Sequence, residues 1–246
     1  MTTEEYSNLA NDWSDFIDWN KRRLGENGWL TKQLSKCKSV FDASVGEGCD
    51  SIYLIKQGFD VTSNDIDENF IKVAQINANR ENVRLKLTKN NWLELKEKMP
   101  KESFDAVILL GNSITHLFKK EDRLKTLENF LYLLRKNGIL IIDERNYSYI
   151  LDNRENILNG NFRYSKKYVY CGEKMQGKPV EISNSQVVFR YIHERRIKGE
   201  IKLYPFKKDE LQSEIKQSGF TKIKQFSDYK KGYNYDADFY QYVAIK

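Results

Sequence analysis

Three cysteines, three prolines, three methionines and two histidines are all that 246 residues hold of these types, and each shortage excludes something. Cys37, Cys49 and Cys171 are odd in number, widely scattered and without paired spacing, so neither a disulfide framework nor a zinc knuckle is indicated and reduced, structural thiols are expected. His116 and His193 stand too far apart to build a His-rich metal site, and no metal is expected. There is no Pro- or Gly-rich linker and no internal repeat, which favours one domain carrying an elaboration over two independent ones. Apolar stretches such as Ala106 to Leu110 and Ile139 to Ile142 fall far short of the roughly 18 residues a membrane-spanning helix requires, so no membrane partner is expected. Charge of one sign is not concentrated either: 41 Lys plus Arg against 35 Asp plus Glu leave +6, but the two signs alternate along the chain. Such a balance serves solubility, and a nucleic-acid partner is not expected. The opening Met1-Thr-Thr-Glu-Glu-Tyr is acidic and polar where an export signal would be basic and then apolar, so the expected location is cytoplasmic.

What is present points to a globular α/β protein: 40% hydrophobic, 13% aromatic and 31% charged residues. After a helical stretch ending near Leu34, apolar periodicity alternates between short strands and helices, the pattern of a doubly wound, mostly parallel sheet. Strands are predicted at Ser39 to Ala43, Phe59 to Ser63, around Val83 to Leu87, at Phe104 to Leu110 and at Ile139 to Asp143. Helices are predicted from the glycines to about Gln57, from Glu68 to about Asn79 and from Arg123 to Leu134, the last stopped by Lys136-Asn137-Gly138. From about Asn153 to Leu203 the chain turns β-branched and aromatic and reads as antiparallel strands. A helix over Lys207 to Ser218 and an antiparallel pair at Thr221 to Ser227 and Phe239 to Ile245 complete seven strands in one sheet. The implied organisation is a helical segment over 1–38, a ligand-binding domain over 39–152 and 207–246, and an antiparallel lid over 153–206.

Gly46 and Gly48 fall between the first strand and its helix, where backbone comes close to a ligand, although a plain strand-to-helix turn looks the same. Seventeen positions after Gly48, at the end of the second strand, Asp65 sits where nucleotide-binding sheets place a carboxylate on ribose hydroxyls. Ser51 stands where a dinucleotide site would have its third glycine, so a nucleoside ligand without a pyrophosphate fits better.

At these residues the chain resembles the class I S-adenosylmethionine-dependent methyltransferases, and among them the glycine and sarcosine N-methyltransferases. The resemblance is carried by DASVGEGCDSIYLIKQGFDVTSND (42 to 65), NNWLEL (90 to 95), LLGNSITHL (109 to 117) and IDERNYSYIL (142 to 151); it is loose in the lid, and the last third is matched mainly by order and by Leu203-Tyr204-Pro205. It implies a Rossmann-like fold and S-adenosyl-L-methionine as cofactor. Asp42, Gly46 and Gly48 match the first motif, Asp65 the ribose-binding acid, and Asn91 and Trp92 the pair flanking the adenine. Leu110 and the Gly46 turn would lie along the methionine part, with Arg22 or Arg23 on its carboxylate. Trp19, Ala43, Ile66 and Ser113 complete the implied cofactor contacts.

For the acceptor, Arg145 follows directly on the fifth strand, and a guanidinium grips a carboxylate through two parallel hydrogen bonds. From the residues alone it could instead be a surface arginine paired with Glu144 or Asp143. The resemblance gives Arg145 and Asn112 the carboxylate or amine of an amino acid, and places lid tyrosines around the reacting groups: Tyr164 and Tyr204, with Tyr191 matching loosely. The implied reaction is methyl transfer to the amine of glycine, sarcosine or a related small amine, with another small metabolite as the alternative acceptor. It is a direct displacement by a neutral amine, so no acid or base is assigned and His116 is given no catalytic part. Family members are often homo-oligomers, which the resemblance carries over as an expectation.

Overall fold

The computed structural model describes residues 9–162 and 174–246. Parallel strands β1 (Ser39–Asp42), β2 (Asp60–Asn64), β3 (Lys86–Thr88), β4 (Phe104–Leu109) and β5 (Leu134–Arg145) alternate with helices Cys49–Lys56, Glu68–Arg80 and Lys120–Leu133. A separate group, β6 (Met175–Ile182), β7 (Val187–His193) and β8 (Arg196–Leu203), forms a three-stranded antiparallel sheet. Helix Glu210–Gln217 then leads to β9 (Thr221–Ser227), the two-residue β10 (Lys230–Lys231) and β11 (Phe239–Ile245). The main sheet runs β10-β9-β11-β5-β4-β1-β2-β3, with β11 antiparallel to both of its neighbours. It is thus the expected seven strands plus β10 at the edge.

Strand β4 shows why the sheet is central. Its alternate residues serve two cores: Val107 and Leu109 join Phe41, Leu140 and Ile142 beneath Leu127 and Phe130, while Ala106 and Ile108 join Val40 and Ile141 beneath Trp29 and Leu54. A strand buried on both faces must be apolar nearly throughout, as this one is. The strand order reverses between β1 and β4, and ligands of open α/β sheets bind at the carboxyl ends beside such a reversal. The helix after β2 starts there because Asp67 accepts hydrogen bonds from the Asn69 and Phe70 amides, an N-cap that frees the chain to turn away from Asp65.

Two sequence expectations are corrected. Lys136-Asn137-Gly138 is not a helix stop: the helix ends at Leu133, and the buried Leu134 already pairs with Phe104 as part of β5. Asn137 takes the left-handed conformation there, while a Cβ on Gly138 would lie 2.8 Å from the Arg135 carbonyl, so this glycine permits a close backbone approach. The expected antiparallel stretch from about Asn153 opens helically, over Arg154–Asn156 and Ile157–Asn161, and its described strands begin only at Met175. The helix expected from Lys207 starts at Glu210. The expected strand at Tyr164 to Tyr170 lies outside the described residues.

The inner face of the small sheet, Val187, Phe189, Tyr191, Ile201 and Leu203, packs on Leu9, Phe16, Tyr147 and Ile150. The N-terminal segment is clasped to this sheet by Asp15, which meets His193 at 2.9 Å and Lys174 at 3.5 Å, and by Asp12, which meets Lys198 at 2.8 Å. Among the described residues no helix is long and apolar enough to cross a membrane.

Candidate active site

The turn after β1 is built around buried polar groups. Asp42 accepts from the Ser51 hydroxyl at 2.7 Å, and Ser51 in turn meets Ser63 of β2 at 2.7 Å. Burial pushes the Asp42 carboxyl up to about 7. Asp42 and Ala43 lie behind the turn, where the Ala43 carbonyl accepts from the Trp92 indole at 2.7 Å. Gly46 and Gly48 both have positive φ; a Cβ on Gly48 would meet Ile52 at 3.0 Å, whereas one on Gly46 would meet nothing within 4 Å. Gly48 is therefore a packing glycine, and Gly46 is the one that borders open space.

Asp65 accepts from the Gly46 and Asp67 amides, each at 3.0 Å, and burial raises its carboxyl to about 6. It lines a cavity of about 260 Å³ with Ile66, Asn91, Trp92, Ser113 and His116. The loop bearing Asn91 and Trp92 is pinned by buried Asn64, which bonds both the Asn90 carbonyl and the Asn90 amide. Asn91 also caps the following turn by accepting from the Leu93 amide at 3.0 Å. The Leu110 carbonyl accepts from the Ser44 and Ser113 hydroxyls, tying the turns after β1 and β4 together beneath this cavity.

Beyond the β4 turn lies a second, smaller cavity of about 60 Å³, into which Arg22, Asn112, Arg145 and the rings of Phe189, Tyr191 and Phe239 face. Among the described residues no carboxylate lines it. His116 borders both cavities, and burial pushes its imidazole down to about 4, so it is neutral at physiological pH. Asp143 shapes the partition: its two oxygens accept from the Gly111 amide at 3.2 Å and the Asn112 amide at 2.7 Å. Asn112, with φ of 66°, donates to the Tyr147 hydroxyl at 2.7 Å and accepts from the Arg145 amide at 2.9 Å. The Arg145 guanidinium stacks on Phe239 at 4.7 Å and Phe189 at 5.1 Å. Its two acidic sequence neighbours are engaged elsewhere, Asp143 with the turn and Glu144 with the Tyr242 hydroxyl at 2.8 Å.

The arginine pair that the sequence left undivided is now separated. Arg22 reaches the small cavity while meeting Asp50 at 2.5 Å; Arg23 is drawn off to Glu26 and Asp50, over the Tyr53 ring. Burial works to raise the Asp50 carboxyl, but the two arginines outweigh it and hold it below the usual range. Trp19 sits over the glycine turn, its indole donating to buried Glu47. Tyr204 is not brought to the cavity: its hydroxyl donates to Glu210 at 2.6 Å and its ring lies 4.0 Å under the Arg123 guanidinium. Tyr191 is there instead, against Trp13 and Phe16, and Tyr164 lies outside the described residues. Sequence reasoning missed Trp13, Phe16, Phe189 and Phe239, which wall the small cavity. None of the four carried a local signal; Phe239 is brought there by the antiparallel pairing of β11 with β5, in which it stands opposite Arg145.

Residues 40–138 match the sequence family described as a methyltransferase domain. Over 246 residues the chain is 35% identical to a glycine/sarcosine N-methyltransferase of Aphanothece halophytica, covering 99% of this chain and 90% of that one. The same name is carried by a protein of Parasynechococcus marenigrum, 34% identical over 99% of this chain and 85% of its own. The chain belongs to the glycine/sarcosine N-methyltransferase family. Its fold is shared with an S-adenosylmethionine-dependent methyltransferase from Clostridium acetobutylicum, at a TM-score of 0.73 over 98% of both chains and 14% identity. A member of this family is an S-adenosylmethionine-dependent methyltransferase, and the two cavities, both bordered by His116, lie at the carboxyl ends of the parallel strands.

Proposed function

We propose that this chain transfers a methyl group from S-adenosylmethionine to the amine of glycine, sarcosine or a closely related small amino acid. The observation that carries the acceptor class is the small cavity. At about 60 Å³ it holds about four to six water-sized groups, the size of a minimal amino acid. Its charged groups are two arginines, which suit a carboxylate and repel an ammonium.

The donor set of the larger cavity fits the cofactor. Gly46 borders open space, Asp65 has lone pairs left for two ribose hydroxyls, and Trp92 and Asn91 offer a ring and an amide to a base. Ser113 and Ile66 flank that pocket, which neither Arg22, in the smaller cavity, nor Arg23, held by Glu26 and Asp50, lines. When bound, the cofactor supplies a methyl carbon activated by a sulfonium.

The protein's own part is to align and to exclude. Arg145, its guanidinium set against the Phe189 and Phe239 rings, binds the acceptor carboxylate bidentately and so fixes where the amine points. Positioning of this kind contributes on the order of 7 to 11 kcal/mol in favourable intramolecular cases. Asn112 and Asp143 set the height of the partition and the strand end that carries Arg145. Trp13, Phe16 and Tyr191 wall the cavity with apolar surface, and among the described residues no carboxylate lines it to favour an ammonium, so the amine is held unprotonated and no general base is required. The enzyme acts on free metabolites in the cytoplasm, without a nucleic-acid partner and as a homo-oligomer; light scattering and salt-dependent RNA binding test the last two points.

The direct experiment is methyl transfer from labelled S-adenosylmethionine to glycine, sarcosine and dimethylglycine, with an acceptor-free control. Reaction with one or more is expected and shows how far the series runs. Cofactor binding by calorimetry without transfer to any of the three would refute the acceptor class and point to another small metabolite.

A further inference from the structure

Arg145 faces more than the small cavity. On its other side lies a separate cavity of about 200 Å³, bounded by Tyr149, Phe162, Asp236 and Asp238. The wall between the two is the Arg145 side chain together with the Phe162–Phe189 edge contact, whose rings stand 5.8 Å apart. This outer cavity is a built one. Asn146 donates to the Tyr235 carbonyl at 2.7 Å and the Ala237 carbonyl at 2.8 Å, and its amide donates to the Asp238 carbonyl at 2.9 Å, fastening the loop with both aspartates to the end of β5. The Tyr149 ring is steadied by Tyr235 at 5.6 Å, and the Tyr235 hydroxyl is held by Asp152 at 3.0 Å.

Among the described residues, the two cavities that share Arg145 differ in charge. The inner one carries two arginines and no described carboxylate; the outer one adds two aspartates and two aromatic rings to the same guanidinium. Carboxylates and ring faces attract cationic nitrogen, and a guanidinium attracts a carboxylate. We propose that the outer cavity is a vestibule for the zwitterionic form of a small amino acid, its carboxylate on Arg145 and its ammonium against Tyr149, Asp236 and Asp238. This rests on the amino-acid acceptor class proposed above. A zwitterion held there has its carboxylate on the same guanidinium that anchors it in the inner cavity. Passing inward, the acceptor leaves its ammonium proton to solvent water at the exposed Asp236 side and enters as the neutral amine. A methylated product, cationic again, is drawn back to the vestibule.

The test uses the full chain saturated with S-adenosylhomocysteine and two probes in calorimetric titrations: trimethylglycine, which is permanently cationic and accepts no further methyl group, and acetate, which has the carboxylate alone. Asp236→Asn and Tyr149→Leu alter exposed side chains. Each is expected to weaken trimethylglycine binding about three- to tenfold while leaving acetate within about twofold. No trimethylglycine binding to the unaltered chain, unchanged trimethylglycine affinity in both variants, or equal weakening of both probes would overturn the vestibule. Because neither probe is methylated, the outcome is separate from turnover. Variant-sensitive trimethylglycine binding in a chain that methylates no member of the glycine series would support the vestibule and refute the acceptor class alone.

Discussion

Replacing Arg145 tests the acceptor site at its most exposed joint. A hydrogen bond to a charged partner contributes about 1.5 to 3 kcal/mol, and a bidentate guanidinium makes two of them. Arg22 remains in the same cavity and offsets part of the loss, so Arg145→Ala is expected to cost about 3 to 4 kcal/mol of transition-state binding. That is a fall of about 100- to 1000-fold in kcat/KM for glycine or sarcosine. Arg145→Lys keeps the charge but not the planar fork stacked on Phe189 and Phe239, and is expected to cost about 1 to 2 kcal/mol. The cofactor KM should stay within about threefold in both, because Arg145 lines the small cavity and not the one containing Asp65 and Trp92. Initial rates with each substrate varied in turn, on variants whose melting temperatures match the parent, decide the matter. Equal rises in both KM values, or a lysine variant indistinguishable from the parent, would refute the anchor.

The two turn glycines should fail differently. Gly48→Ala meets Ile52 as well as an unfavourable φ and is expected to lose about 2 to 3 kcal/mol of stability; Gly46→Ala, with open space beside it, should lose only the roughly 1 to 2 kcal/mol of the left-handed conformation but bind S-adenosylhomocysteine far less well. Urea unfolding and calorimetry separate the two, and a Gly46→Ala variant with unchanged affinity would contradict the assignment. Asp65 must be ionised to accept ribose hydroxyls, so S-adenosylhomocysteine affinity should fall as pH drops through about 6, and Asp65→Asn should abolish that dependence; a pH profile shared by both proteins would count against the role. Burial raises Glu144 from 4.5 to about 8, so the folded state holds a proton that the unfolded state has lost. Its contribution to stability is complete below the unfolded value and declines by about 1.4 kcal/mol per pH unit between roughly pH 5 and 8. Glu144→Gln still accepts the Tyr242 hydroxyl and should be more stable than the parent by a margin that grows over that window; a constant margin in urea titrations would show the carboxyl ionised throughout.

Which features were legible in the sequence follows from how local each signal is. Strands β4 and β11 are apolar runs with defined ends, and β9 and β11 were expected at the limits now observed. Lys136-Asn137-Gly138 misled because glycine was assigned a helix terminus when its task is to let β5 approach the carbonyls of Arg135 and Asp105. Tyr204 matched by order along the chain, but the side chain that reaches the cavity is decided by strand alternation: Phe189, Tyr191, Ile201 and Leu203 share the inner face, and the chain has left that sheet at Tyr204.

The sequence by itself determined the α/β class, the glycine turn with Asp65 at the next strand end, and the residues Asn91, Trp92, Asn112 and Arg145. The class and the glycine turn are specified by neighbours within a turn or a strand, where backbone geometry leaves few choices; the four residues were reached through the resemblance to the family's motifs, Arg145 also through its place directly after the fifth strand. Only the tertiary structure decided that Arg22 and not Arg23 meets the small cavity, that Trp13 and Phe16 line it, and that Arg145 borders both this cavity and the one with Asp236 and Asp238. Those outcomes depend on which surfaces pack together across the molecule, and packing brings together side chains that nothing in their local sequence connects.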